Sequence, residues 1–449
     1  EETQSIPAAG SKLAETASHS GAVDPSPDRS PAADRPLQST SAGSPPSGSS
    51  TSGGALYHPF LSEANAERLA VTLCRMRGAA LKLGQMLSIQ DDTIIPPQVQ
   101  KILQRVRDNA DVMPRKQLEK VLVRELGPDW QKHFQEFQYR PIAAASIGQV
   151  HRAVLTDGME VAMKIQYPGV AESIESDLSN LRRVISMTSM LPKGLYVDAA
   201  IAEAKKELTL ECDYLSEARH QRHFQCLIRD EPMFIVPDVI PELSTSRVLT
   251  STLVKGLTID QICQMDQFTR NKVAQKLLEL CLRELFEFRY MQTDPNWSNF
   301  FYDHKNNKLI LLDFGACRSF DKSFVDEYIK LVYGSAVGDR QMIIDASIKM
   351  GFLTGDETEE MMNAHASAAT IVGEPFAQPA VFDFSTQRMT RRVNELVPAM
   401  LKHRLTAPPP ESYSLHRKLS GSFLLCFKLG AKIQCHDAFM RIWERYSFD

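Results

Sequence analysis

The chain has 449 residues, with 51 Lys and Arg against 55 Asp and Glu for a formal net charge of -4. That length allows two or three compact units around a sizeable core, and the near balance of charge excludes the global basic excess that nucleic-acid binding needs, so no nucleic-acid partner is expected and phosphate ligands have to be met locally. The eight cysteines are scattered without a CxxC pair or a histidine cluster, which indicates neither a disulfide framework nor a zinc site and suits a reducing compartment.

Residues 1–56 are dominated by Ser, Pro, Ala, Gly and Asp, a composition that buries too little surface to offset chain entropy, and the segment reads as a disordered linker. Helical periodicity begins at Ser62, with Leu69, Leu73, Met76, Ala80, Leu83 and Leu87 at three- and four-residue steps, and continues through Gln98–Val106 and Arg115–Leu126. An all-helical extension is therefore expected over 57–140. Beyond Pro141, Gly148–Val154, the Asp157-Gly158 turn and Glu160–Ile165 read as a hairpin. Helices are expected from about Ala171 to Leu227, short strands at Phe234–Pro237 and Arg247–Leu253, a long apolar helix from Thr269 to Arg289, and mostly helix after Asp321. The outcome is an α+β chain, with a small β-containing lobe over 141–253 and a larger helical lobe over 254–449. No window approaches the ~20 apolar residues of a membrane span, which leaves only peripheral contact with membrane lipid. The chain opens on Glu1 and not Met, so its localisation is not readable from its start.

Three motifs carry chemistry. Lys164, in Val161-Ala162-Met163-Lys164, sits on a strand where a fixed ammonium can bridge the α and β phosphates of a nucleotide. In Asp294-Pro295-Asn296-Trp297-Ser298-Asn299 an aspartate precedes an asparagine at the spacing of a kinase catalytic loop, so Asp294 can orient or deprotonate a hydroxyl or water while Asn299 takes a magnesium ion. An apolar strand, Leu309–Leu312, ends in Asp313-Phe314-Gly315, where Asp313 can hold magnesium. Each motif alone is weak. A strand lysine is usually a solvated face residue and Asp-Phe-Gly can be a mere turn, yet their order, with fourteen positions from Asn299 to Asp313, points to a protein-kinase-like two-lobe fold using ATP and Mg2+.

A glutamate is needed to orient Lys164, and the helix read over Glu203–Arg219 offers Glu203, Glu207, Glu211 and Glu217, with Asp213 and Glu217 four apart on one face. Any of these could equally be solvated surface. Where a kinase has its glycine-rich loop, this chain has Ala143-Ala144-Ala145-Ser146-Ile147-Gly148, whose Cβ atoms narrow the backbone's approach to phosphate and leave Ser146 as a phosphate or metal contact. After Gly315 a helix start at Asp321–Phe324 leaves no room for a long activation segment. Asn296 stands where protein kinases carry a lysine that neutralises the transferred group.

Lys82-Leu83-Gly84-Gln85, the alanine-rich loop, Glu211-Cys212-Asp213, Gln292–Asn299 and Asp313-Phe314-Gly315 together resemble the UbiB family of atypical kinase-like proteins, over about residues 60–445. Within it the chain looks like the mitochondrial members needed for coenzyme Q biosynthesis in animals. The resemblance implies a kinase-like fold whose helical extension, bearing Lys82 and Gln85, covers the active site and blocks the protein-substrate groove. It also implies an ATPase stimulated by membrane lipid and phenolic quinone precursors, placed at the matrix face of the mitochondrial inner membrane beside the coenzyme Q biosynthesis enzymes, with a homodimer left open. Under it Lys164 pairs with Glu217, Glu211 and Asp213 meet Lys82, and the backbone of Ser251, Thr252, Leu253 and Val254 forms the adenine-binding hinge. The retained Lys164, Asp294, Asn299 and Asp313 favour catalysis over a nucleotide- and lipid-binding pseudokinase scaffold, and the missing activation segment argues against a conventional protein kinase.

Overall fold

The computed structural model describes residues 112–188 and 197–448. The linker expected over 1–56, the helices expected between Ser62 and Val106, and Lys82 and Gln85 lie outside them.

The small lobe opens with α1 (Arg115–Leu126), which buries Leu118, Val121 and Leu122 on one face. A five-stranded antiparallel sheet follows, built from β1 (Phe134–Phe137), β2 (Ala143–Ala144), β3 (Gly148–Leu155), β4 (Glu160–Gln166) and β6 (Val248–Thr252) in the order β1-β3-β4-β6, with β2 also on β3. The segment expected to be wholly helical up to residue 140 thus ends in a strand. Its Phe-Gln-Glu-Phe does not alternate; a register shift between Phe134 and Glu136 interrupts the ladder, both phenylalanines meet Trp130 edge-on, and Phe137 stacks on His151 of β3. Alternation in β4 fixes the lobe's two faces. Val161, Met163 and Ile165 are fully buried against Leu118, Leu122 and Trp130, so Ala162 and Lys164 are turned to the opposite face.

Three helices lie between β4 and the strands that follow: α2 (Val170–Thr188), α3 (Val197–Glu211) and α4 (Tyr214–Leu227). The single helix read over Glu203–Arg219 is therefore two. Asp213 breaks it, because its carboxylate accepts the N–H of Leu215 and caps α4, offering the backbone an alternative to continuing α3. Glu203, Glu207 and Glu211 belong to α3, and Glu217 to the first turn of α4.

In the large lobe β5 (Phe234–Ile235), β7 (Leu257–Thr258), β9 (Phe300–Asp303) and β10 (Lys308–Leu311) form a sheet in the order β5-β10-β9-β7, while β8 (Tyr290–Gln292) pairs with β11 (Cys317–Ser319). The short α5 (Ile259–Ile262) leads into α6 (Gln267–Phe286), whose Val273, Leu277, Leu278, Cys281 and Leu285 lie at the centre of the main core. Around it pack α7 (Lys322–Val337), α11 (Pro410–Lys428) and α12 (His436–Arg445), and a second cluster joins α8 (Arg340–Met350), α9 (Glu359–Gly373) and α10 (Met389–His403). A final pair, β12 (Phe382–Asp383) and β13 (Lys432–Ile433), ties the loop before α10 to the end of α11. Among the described residues no helix is long and apolar enough to cross a membrane.

Candidate active site

The two lobes meet at Lys164. Its ammonium donates to Glu217 Oε1 at 2.8 Å, to Glu217 Oε2 at 2.9 Å and to Asp313 Oδ2 at 3.0 Å. Burial alone would lower the lysine's pKa, but the Asp313 and Glu217 carboxylates outweigh it and hold the ammonium charged. Glu217 is 3 % exposed; burial pushes its carboxyl up to about 7 against the pull of Lys164. Gly315 makes the close approach possible, since a Cβ there would lie 3.3 Å from both Asp313 Oδ1 and Glu217 Oε2.

Asp313 follows β10 with φ at +57°, a left-handed conformation that aspartate tolerates because its carboxylate bonds locally, here accepting the N–H of Gly315 at 3.1 Å. Its carbonyl is held from the other side by Gln292 Nε2 at 3.1 Å. The loop after β8 carries Asp294, whose Oδ2 accepts from Asn299 Nδ2 at 3.0 Å, while Leu312 N–H donates to Asn299 O at 2.8 Å and brings the asparagine alongside Asp313. With its amide nitrogen engaged by Asp294, Asn299 is left with Oδ1 to face a cation. The donor set fits magnesium: hard oxygens from a carboxylate and an amide, in a cluster where one ammonium is set against two carboxylates. Asn296, in the place of a kinase lysine, spends its side chain on the turn by accepting the N–H of Ser298 at 3.1 Å.

The alanine-rich loop is a closed hairpin. Ala143 and Ala144 pair with Val150 and Gln149, and the Ala145 N–H donates to Gly148 O at 2.9 Å, so that amide is committed within the loop. Ser146 Oγ donates to Glu211 Oε2 at 3.3 Å, joining the loop to the end of α3. Asp213 lies 3.5 Å from Arg219 as well as capping α4. The proposed meeting of Lys82 with Glu211 or Asp213 involves a residue outside those described. Ser251 and Thr252 end β6; the Thr252 N–H donates to Asp238 O at 2.9 Å and the Leu253 N–H to Glu160 O at 2.9 Å, so these two amides of the expected hinge are already bonded within the chain.

Several residues that frame this site were not singled out from sequence. On α4, one turn after Glu217, His220 Nδ1 donates to Phe314 O at 3.1 Å, and Gln221 Nε2 donates to Pro237 O at 2.6 Å, so α4 is fastened to both Asp-Phe-Gly and the strand region before the hinge. Tyr214 is fully buried with its ring 5.2 Å from the Lys164 ammonium. α3 is tied to the large lobe by Glu207 with Arg417 at 2.7 Å and Glu203 with Arg318 at 3.0 Å. Arg417 Nε also reaches Thr293 O at 3.4 Å, and Thr293 Oγ1 donates to Ala316 O at 2.6 Å, so α11 holds the loop of Asp294 beside the residue after Gly315. Sequence offered little signal for the cations of α11: Arg417 and Lys418 stand among Ser412, Ser414, His416, Ser420 and Ser422 and read as an ordinary solvated face.

Glu217 has a consequence for stability, shared with Glu284 of α6, whose carboxyl burial likewise pushes to about 7. The folded state binds both protons more tightly than the unfolded chain, where carboxyls titrate near 4.5. Their stabilising contribution is complete below that pH and lost as pH rises through about 7, at up to about 1.4 kcal/mol per pH unit for each group. Denaturant titrations of the parent and of Glu217→Gln at pH 5, 6 and 7 should show the parent losing stability relative to the variant across this window; His365 and His416, whose imidazoles burial holds down at about 4, titrate with the opposite sign and are common to both proteins. A slope unchanged by Glu217→Gln would show that this carboxyl does not titrate there.

The chain is similar to several known proteins. The ABC1 atypical kinase-like domain matches residues 105–347. Atypical kinase COQ8B, mitochondrial, of Danio rerio is 53 % identical over 394 residues, covering 88 % of this chain and 63 % of that protein, so the chain spans under two thirds of that relative's length. The Rattus norvegicus protein of the same name is 52 % identical over 88 % of this chain and 75 % of its own length, and Atypical kinase COQ8, mitochondrial, of Saccharomyces cerevisiae is 45 % identical over 86 % and 77 %. A solved structure of Rv3197 from Mycobacterium tuberculosis, in complex with erythromycin, superposes with a TM-score of 0.58 at 23 % identity, covering 86 % of this chain and 96 % of that one. That last likeness is one of fold alone.

Proposed function

The chain belongs to the UbiB family of ABC1 atypical kinase-like proteins, and from that premise we propose that it is an atypical kinase-like ATPase that binds Mg-ATP and supports coenzyme Q biosynthesis in mitochondria. The observation that carries this reading is the convergence of Lys164, Glu217 and Asp313 within 3.0 Å contacts beside the Asp294–Asn299 pair. Lys164 would hold the α and β phosphates, positioned by Glu217, and Asn299 and Asp313 would hold the magnesium ion. When bound, that ion would neutralise charge on the phosphates. Asp294, whose Oδ2 accepts from Asn299 and whose Oδ1 accepts from the Asn296 N–H at 3.3 Å, would orient a water or hydroxyl through a remaining lone pair and accept its proton. Ala143–Ser146 would cover the phosphates, and Ser251–Val254 would receive the adenine.

Only Ala316–Asp321 separate Gly315 from α7, too few residues for a peptide-docking segment, which supports water or a small acceptor over a protein. In this reading Lys82 and Gln85 lie across the cleft, the protein touches the matrix face of the inner membrane peripherally, and phenolic quinone precursors and anionic lipid raise turnover. The test is phosphate release by the purified protein with ATP and magnesium, with and without anionic liposomes and a phenolic precursor analogue. Release that requires magnesium and rises with both additions is the expected result. Magnesium-dependent ATP binding without release under any condition would replace the ATPase by a nucleotide-binding scaffold.

A further inference from the structure

A second cation of α11 lies deeper than Arg417. Lys418 is 4 % exposed, and its ammonium donates to Gln292 Oε1 at 3.0 Å, lies 3.4 Å from Glu284 Oε2 and stands 5.4 Å from the ring of Phe300. Gln292 is two residues before Asp294, and Phe300 directly follows Asn299. Through its other end, Nε2, Gln292 donates to the carbonyl of Asp313. One buried ammonium therefore reaches both ends of the catalytic loop, and its partner at the start, Gln292, is also the residue that holds the Asp-Phe-Gly aspartate.

We propose that Lys418 is a positioning residue that sets the orientation of the Gln292 amide and thereby holds Asp313 in its left-handed, ligand-ready conformation. A glutamine amide has an accepting end and a donating end of nearly the same shape, and packing alone does not choose between them. An ammonium has three donors and no acceptor, so beside Lys418 only the oxygen of Gln292 is tolerated, and the NH2 is turned toward Asp313 O. With the amide reversed, an oxygen would face the Asp313 carbonyl and the restraint on a backbone at φ +57° would be lost. A lysine is a poor choice for filling a core, where methionine would pack without the desolvation that a buried charge demands. The partnering of its charge with Glu284 and the aim of its hydrogen bond give it a reason to be there.

This inference rests on the nucleotide reading for its consequence but not for all of its test. Lys418→Met, Gln292→Leu and the double variant are compared with the parent in two measurements. The first, on the protein without nucleotide, is amide hydrogen exchange at Gly315, whose N–H bonds Asp313 Oδ1; exchange should be about tenfold faster in each single variant and no faster again in the double. The second is the magnesium concentration giving half-maximal thermal stabilisation by saturating ATP, which should rise about tenfold in each single variant and no further in the double, while thermal stabilisation by metal-free ADP stays parental. If Lys418→Met does not fold, Lys418→Met with Glu284→Gln removes both charges together, and the same two measurements are made on that pair against Glu284→Gln alone. Parental exchange at Gly315, or additive effects of the two single variants, overturns the inference whatever the protein does with nucleotide. A parent that shows no magnesium-dependent stabilisation at all, with Gly315 exchange behaving as stated, overturns the nucleotide reading and leaves the positioning role supported.

Discussion

Asp313→Asn is expected to abolish the magnesium dependence of ATP binding while leaving the fold intact. Asparagine is nearly the same shape and visits the left-handed region as readily as aspartate, so the backbone at φ +57° is not put under new strain. What disappears is charge. Lys164 then faces Glu217 alone, and a hard divalent cation loses its only carboxylate in this pair of ligands. Outer-sphere changes already cost 10- to 100-fold in metal affinity, so loss of a direct ligand should cost at least about a hundredfold. At magnesium-ATP a hundred times above its dissociation constant the parent gains about 2.7 kcal/mol of stability, and the variant under the same conditions should gain close to none. Thermal or denaturant unfolding with ATP, at graded magnesium, reads this directly. If Asp313→Asn keeps both the affinity and its magnesium dependence, Asp313 is not a metal ligand.

Gly421→Ala should reduce turnover far more than it reduces nucleotide affinity. Gly421 lies on the face of α11 that abuts the catalytic loop, and a Cβ there would overlap the Cβ of Pro295 and lie 2.8 Å from its Cγ. The proline ring is rigid, and its loop is pinned by the Arg417 contact to Thr293 O and by the Asp294–Asn299 bond, so neither side can yield by rotating a flexible side chain. Alanine gains about 1 kcal/mol of helix propensity over glycine, but overpacking costs about 1–3 kcal/mol and is the larger effect. Its consequence for chemistry should be larger still. Asp294 adjoins the displaced proline, and a misplacement of about 1 Å can cost about a hundredfold in rate. Lys164, Ala143–Ser146 and Ser251–Leu253 are on the small lobe and Val254 directly follows it, so half-saturation by ATP should stay near the parental value. Phosphate release across an ATP titration separates the two parameters. Parental turnover in a variant of lowered melting temperature would show that α11 moves away and the loop stays in place.

The sequence by itself determined much of the small lobe and the order of the chemistry. The β3–β4 hairpin, the strand at Val248–Thr252, α1 and the long helix of the large lobe were legible because hydrophobic period and turn residues are local signals. So were the short distance from Gly315 to α7 and the kinase order of Lys164, Asp294, Asn299 and Asp313. The strand at Phe134–Phe137 was not, because four residues of mixed polarity become a strand only when β3 and Trp130 are present to pair with them. The break between α3 and α4 depended on a single aspartate choosing to cap rather than to continue a helix, a choice of about 1 kcal/mol that periodicity cannot register.

Among the glutamates, residue types and spacing left Glu203, Glu207, Glu211 and Glu217 as equals, and only the resemblance preferred one. The tertiary structure separates them: Glu217 lies on Lys164, Glu211 on Ser146, and Glu203 and Glu207 on arginines of the large lobe. The contribution of α11 was decided by tertiary structure alone. Arg417, Lys418 and Gly421 stand more than a hundred residues from Thr293, Gln292 and Pro295, and a buried charge looks the same in sequence as a solvated one. What distinguishes them is desolvation and the partner that offsets it, and both exist only once the chain has folded.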